Sequence, residues 1–196
     1  MMERVGSVDR KTTETDIKLT VGLDGSGQAE VATGVGFFDH MLVLFARHGL
    51  FDLNARVNGD LHVDAHHTVE DTGIVLGQAL ARALGEKKGI RRYGTAFVPM
   101  DEALAMVAID VSGRPFLQYD VDAPACVIGS YAGELTEEFL RALAVNAGLT
   151  IHVRLLAGRN AHHIHEAIFK ALGRALAEAT RFDERIVGVM SSKGVL

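Results

Sequence analysis

Two short phrases hold the residues best equipped for chemistry: HHTVED from His66 to Asp71 and HHIHEA from His162 to Ala167. Both contain His-His-x-x-Glu, and both run into a matching tail, LGQAL at Leu76–Leu80 and LGRAL at Leu172–Leu176. A helical residue advances about 100° around its axis, so His66 and Glu70 become i, i+4 neighbours and His67 and Glu70 i, i+3 neighbours. Their side chains then project within roughly a quarter turn of one helix face, and His162, His163 and Glu166 repeat the arrangement. Imidazole with carboxylate suits divalent ions such as Mn, Fe, Co or Zn, and the lack of thiolates argues against a Cys-type structural zinc site. One copy alone is a weak signal, because adjacent histidines also occupy the wet face of ordinary helices. Two copies in one register mark an internally duplicated protein whose halves each supply nitrogen and carboxylate donors.

Aligning the halves adds a donor to each. Phe-Phe-Asp-His ending at His40 leads into a helix in the first half, and Thr-Glu-Glu ending at Glu138 into one in the second. Leu42 and Leu140, then Phe45 and Leu143, follow at equal offsets, so His40 and Glu138 are equivalent positions. A polar residue at a helix start is also ordinary.

The elements that must position these groups follow from periodicity. Ile17, Leu19, Val21 and Leu23 alternate with polar residues, which predicts a strand with one buried face. The turn residues Asp24 to Gly27 then predict that Gln28–Thr33 returns as its hairpin partner. Phe37 to His48 has helical spacing that Gly49 stops, Phe51–Val57 is a short strand, and the first His-His helix runs to about Leu84 before Gly85. In the second half, strands at Arg92–Val98, Leu104–Val111 and Phe116–Val121 precede a helix at Leu135–Asn146, a strand at Leu149–Leu156 and the second His-His helix, His162 to about Thr180. The expected architecture is α+β: an internal duplication of two similar units, each a mostly antiparallel β-sheet with helices on one face, with the helices packed between the sheets. The units are residues 1–90 and 91–196, together one domain.

A chain of 196 residues can bury a full core. Its 48% apolar content and net charge of −5 fit an ordinary globular protein, and no Lys/Arg block interleaved with aromatics offers nucleic acid a surface. Cys126 is alone, so no internal disulfide forms, and no signal peptide or long apolar run is visible. These features point to a reducing, cytoplasmic setting with no membrane partner.

The ordered segments GVGFFDHML, ARHGLFDL, GDLHVDAHHTVEDTGIVLGQAL, GEKKGIRRYG, MDEAL, SGRPFL, EEFLRALAVNAGLTIHVRLLAGRNAHHIHEAIFKALGRAL and SSKGVL resemble the imidazoleglycerol-phosphate dehydratase family over essentially the whole chain. Nothing extra at either end would house the phosphatase fused to some bacterial members, so the resemblance is to the monofunctional form. It implies a carbon-oxygen hydro-lyase of histidine biosynthesis that converts D-erythro-imidazole glycerol phosphate to imidazole acetol phosphate and water. It implies two Mn(II) ions per site, held by residues matching His40, His66, His67, Glu70, His162, His163 and Glu166, with Glu138 where members carry histidine or glutamate. The phosphate clamp matches Arg92, Arg114, Lys170 and the C-terminal Ser191, Ser192 and Lys193. Glu14 best matches a carboxylate that contacts substrate and moves protons, so Glu14, Glu70 and Glu166 form the expected catalytic set. The resemblance also implies a homo-oligomer of 24 subunits with sites at subunit interfaces. Where many members carry Asp-Gln after DHML, this chain has Val43-Leu44, which removes a polar contact but no ligand.

The implied reaction suits these residue types. The proton to be removed sits on a carbon that no carbonyl acidifies, a large barrier for a side-chain base alone. Two metals on the ring nitrogens would stabilise an imidazolate whose electrons expel the hydroxyl and leave a diazafulvene-type intermediate. A glutamate would carry the remaining proton, and Arg and Lys would hold the phosphate. Plainer readings exist for single residues: Arg114 as turn decoration, Lys170 as an i, i+4 partner of Glu166, Lys193 as surface charge. His165, which stands where the first motif has Val69, reads as solvent-facing or beside the site, and His48, His62 and His152 as structural. A metal-dependent hydrolase would use the same ligands, and a metal-storage shell would lack any need for the phosphate clamp.

Overall fold

The computed structural model describes residues 4–196. The first half runs β1 (Val5–Lys11), β2 (Thr15–Gly22), β3 (Ala29–Ala32), α1 (Gly36–Gly49), β4 (Asp52–Gly59) and α2 (His66–Leu84). The second runs β5 (Tyr93–Met100), β6 (Ala103–Asp110), β7 (Phe116–Asp120), a small hairpin of β8 (Val127–Ile128) and β9 (Tyr131–Ala132), α3 (Leu135–Ala147), β10 (Thr150–Ala157) and α4 (Ala161–Thr180). The two main sheets share one plan, β1-β2-β4-β3 and β5-β6-β10-β7. In each, the last pairing is parallel and the others antiparallel.

One face of each sheet is apolar at every second residue. β2 turns Thr15, Ile17, Leu19 and Val21 inward, and β6 turns Ala103, Ala105, Val107 and Ile109 inward. Helices cover those faces: α2 lies on β1 and β2, α4 on β5 and β6, while α1 packs beside α4 and α3 beside α2. Each helix pair therefore takes one member from each half, and the four helices fill the space between the sheets. Phe38 and Phe139 meet edge to face with centroids 5.3 Å apart, and Phe139 stacks on Phe169 at 5.4 Å, joining the halves in one core.

The glycines of the LGQAL and LGRAL tails mark where the helices touch. A Cβ at Gly77 would press on Asn146 Cβ and the Ala147 backbone of α3, and one at Gly173 would run into the Phe45 carbonyl of α1. Each repeat needs a residue without a side chain there for its helix to meet the other half.

One expectation changes, and one strand is new. Gln28–Thr33 does not return as the hairpin partner of β2; β3 lies parallel to β4 instead. Both edges of β2 are already taken, by β1 and β4, and Asp52 Oδ1 pins the turn by accepting N–H groups of Ser26 and Gln28, each at 2.9 Å. The strand β1 had no alternation strong enough to announce it: only Gly6 and Val8 point inward.

Candidate metal and substrate site

At the N-terminal end of α4, His162, Glu166 and Lys170 form a stripe at i, i+4 spacing, and His40 of α1 reaches across to it. Glu166 Oε1 lies 3.0 Å from His40 Nε2 and 3.1 Å from His162 Nε2, and Oε2 accepts from Lys170 Nζ at 2.6 Å. Both rings are nearly half exposed, whereas the Glu166 side chain is 10% exposed. Burial pushes its carboxyl up, but hydrogen bonds from Lys170, His40 and His162 outweigh this and hold it at about 2. The ligand atoms of His40, His162 and Glu166 all lie within 4.8 Å of one another, an N,N,O set of the kind that divalent transition ions take.

The first half arranges the matching residues more openly. His66 Nε2 and Glu70 Oε2 stand 3.7 Å apart, while Glu138, the counterpart of His40, has an oxygen 3.9 Å from Arg141 Nε. Among the described residues no third donor closes a triad around His66 and Glu70.

The second histidine of each pair is gripped by a carboxylate. His67 Nδ1 lies 2.9 Å from Asp60 Oδ2 and His163 Nδ1 2.7 Å from Glu102 Oε2. The Asp60 and Glu102 hydrogen bonds raise the two imidazoles above their ordinary value. Glu102 falls to about 2, held by His163 and by the backbone N–H of Asn160. Glu14, exposed, places Oε1 3.7 Å from His67 Nε2.

The expected phosphate residues separate into two places. Lys170 stays with Glu166. Arg92 instead binds Asp110 through Nε at 2.7 Å and Nη2 at 3.0 Å, and donates Nη1 to the Met190 carbonyl at 2.8 Å, which ties down the tail that carries Ser191 and Ser192. Arg114 Nη2 lies 3.9 Å from Asp110, and the Lys193 backbone N–H donates to Ser191 Oγ at 3.2 Å. Arg92 precedes the eight-residue β5 and Glu102 follows it. At about 3.3 Å per residue the strand separates the arginine cluster from the His163 end by roughly 25 Å.

His165, expected either at solvent or beside the site, is not at solvent. It is 1% exposed, with Nδ1 2.9 Å from Thr136 Oγ1, which in turn lies 2.7 Å from the Tyr131 hydroxyl. Burial first, then the charge of His162, lowers it to about 4. On a helix whose first five residues include three histidines, the contacts with Thr136 of α3 and Tyr131 of β9 decide which one turns inward. Asp60, Glu102 and Asp110 were missed from sequence because none shares a helix face or strand with its partner: Glu102 and Asp110 act on residues 61 and 18 positions away, and Asp60 reaches His67 across the loop before α2; the signals were the Asn-Gly-Asp turn and the MDEAL segment.

Fold and donors together define a duplicated α+β protein with a histidine and glutamate centre suited to a divalent metal, drawn from both halves. Residues 33–176 match the family model described as imidazoleglycerol-phosphate dehydratase. The chain belongs to that family, and is a hydro-lyase of the kind that acts in histidine biosynthesis. It is 63% identical over 195 residues to the imidazoleglycerol-phosphate dehydratase of Acetivibrio thermocellus and 59% identical over 196 residues to that of Desulforamulus reducens, each comparison covering 100% of both chains. The crystal structure of the Staphylococcus aureus enzyme superposes with a TM-score of 0.83 at 41% identity, covering 91% of this chain and 99% of that one. The Pyrococcus furiosus structure gives 0.84 at 42%, covering 96% and 100%. No described helix is long and apolar enough to cross a membrane.

Proposed function

We propose that this chain dehydrates D-erythro-imidazole glycerol phosphate to imidazole acetol phosphate at a metal-dependent site completed between subunits. The supporting observation is the Glu166 cluster, where donors from both halves converge within 4.8 Å. His40, His162 and Glu166 would hold one Mn(II), and His66, His67, Glu70, Glu138 and His163 would complete the pair when subunits meet. When bound, the ions would supply positive charge that stabilises negative charge developing on the substrate's ring.

The chain's own residues supply the rest. Glu14, exposed beside His67, takes the carbon-bound proton and delivers one to the departing hydroxyl. Glu70 and Glu166 set the charge of the centre. Arg114, with a side chain 68% exposed, meets the phosphate directly, and Arg92 presents Ser191, Ser192 and Lys193 by anchoring the tail. Lys170 adds a point charge beside Glu166. Because β5 holds the arginines about 25 Å from the outer histidine, one substrate meets both only if they come from different subunits. Repeats 1–90 and 91–196 thus act as one catalytic domain of a homo-oligomer, a 24-subunit shell in the cytoplasm.

Incubation with imidazole glycerol phosphate tests the reading: the enol of the product absorbs at alkaline pH. Release of inorganic phosphate without that absorbance would identify a hydrolase instead.

A further inference from the structure

Glu14 and Glu102 occupy matching places, each immediately before a core strand, β2 and β6. The two halves use them differently. Glu102 is fully engaged: Oε2 lies 2.7 Å from His163 Nδ1, and Oε1 accepts the backbone N–H groups of Asn160 at 2.8 Å and Arg159 at 3.3 Å. Glu14 carries none of that. In the first half Asp60, one residue past β4, makes the contact to His67 Nδ1 at 2.9 Å. Nor does Glu14 fasten its own hairpin. Asp71 on α2 does so, accepting from Thr15 Oγ1 at 2.5 Å and pairing with Arg10 Nη1 at 2.6 Å, whereas the corresponding residue of α4 is Ala167.

Two unrelated backbone positions have thus arrived at one contact, a carboxylate oxygen on Nδ1 of the second histidine of each pair. A neutral imidazole carries a single N–H, so an acceptor at Nδ1 keeps the proton there and leaves Nε2 as the lone-pair donor. We propose that Asp60 and Glu102 are positioning residues that lock His67 and His163 in the Nδ1–H tautomer, presenting both Nε2 atoms to a divalent cation. The use of Asp60 in the first half releases Glu14 for proton transfer. This rests on the reading of His67 and His163 as ligands.

The test is titration of Mn(II) alone into metal-stripped full-length protein. Glu102→Gln keeps a carbonyl oxygen for the N–H groups of Arg159 and Asn160 and turns its amide N–H toward His163. Asp60 Oδ1 has no protein partner, so an asparagine would simply turn its carbonyl to the ring; Asp60→Leu removes the acceptor at similar size. Both variants are expected to lose about 10–100-fold in Mn(II) affinity, with Glu102→Asp recovering most of it. Imidazole ¹⁵N shifts of the metal-free variants should move from the Nδ1–H to the Nε2–H pattern. Wild-type affinity and wild-type ¹⁵N shifts in both variants overturn the proposal alone. Failure of the wild type itself to take up Mn(II) overturns it together with the ligand reading.

Discussion

Glu166 on α4 and His40 on α1 lie 3.0 Å apart although 126 residues separate them. Each belongs to a different half, so the contact exists only because α1 crosses to pack on α4. The Glu166 carboxylate is the point on which two imidazoles and an ammonium converge. Glu166→Gln should therefore cost more than the roughly 10–100-fold typical of an outer partner, in both Mn(II) uptake and turnover. Turnover equal to wild type would remove this cluster from the active site.

The helix crossing itself can be perturbed. Gly173→Ala drives a methyl into the Phe45 carbonyl, and Gly77→Ala drives one against Asn146 and Ala147. Each should destabilise by about 1–3 kcal/mol, the usual cost of overpacking, read by urea unfolding. Gly173→Ala should also lower turnover, because α1 carries His40; a shift in midpoint without a kinetic effect would separate the crossing from the site.

Acid should act through Glu102. Its carboxyl is held at about 2, below the ordinary glutamate value of 4.5, so its contribution to stability is present above that ordinary value and lost as pH falls toward 2. His163 is raised, and its contribution runs the other way: present below the ordinary imidazole value of 6.5 and lost as pH climbs through the raised one. In metal-free protein, wild type should lose more melting temperature than Glu102→Gln between pH 5 and about pH 2. Parallel curves would show that the contact does not influence folding.

The tail offers a kinetic separation. Lys193→Ala should raise KM by about tenfold, the loss of one charge-assisted contact worth roughly 1.4 kcal/mol, while kcat and solution mass stay constant. Unchanged kinetics would take the tail out of phosphate binding.

Removing metal is the broadest test. Chelation should abolish turnover and loosen the oligomer, and Mn(II) should restore both, as followed by activity and light scattering. Full activity in a thoroughly metal-free preparation would end the metal mechanism.

The sequence by itself determined the duplication, the helices that begin at the paired histidines, and the donor types, because i, i+4 spacing and strand alternation are local properties of a short stretch. It also placed His40 and Glu138 as equivalents by counting offsets. Only the tertiary structure decided that β3 joins β4, that His165 turns into the core rather than to solvent, and that Asp60 and Glu102 grip the outer histidines. Each depends on how separate elements are placed against one another, which local spacing does not specify. It also decided that the arginines and the His163 end stand at opposite ends of β5, since a strand's length converts adjacency in sequence into separation in space.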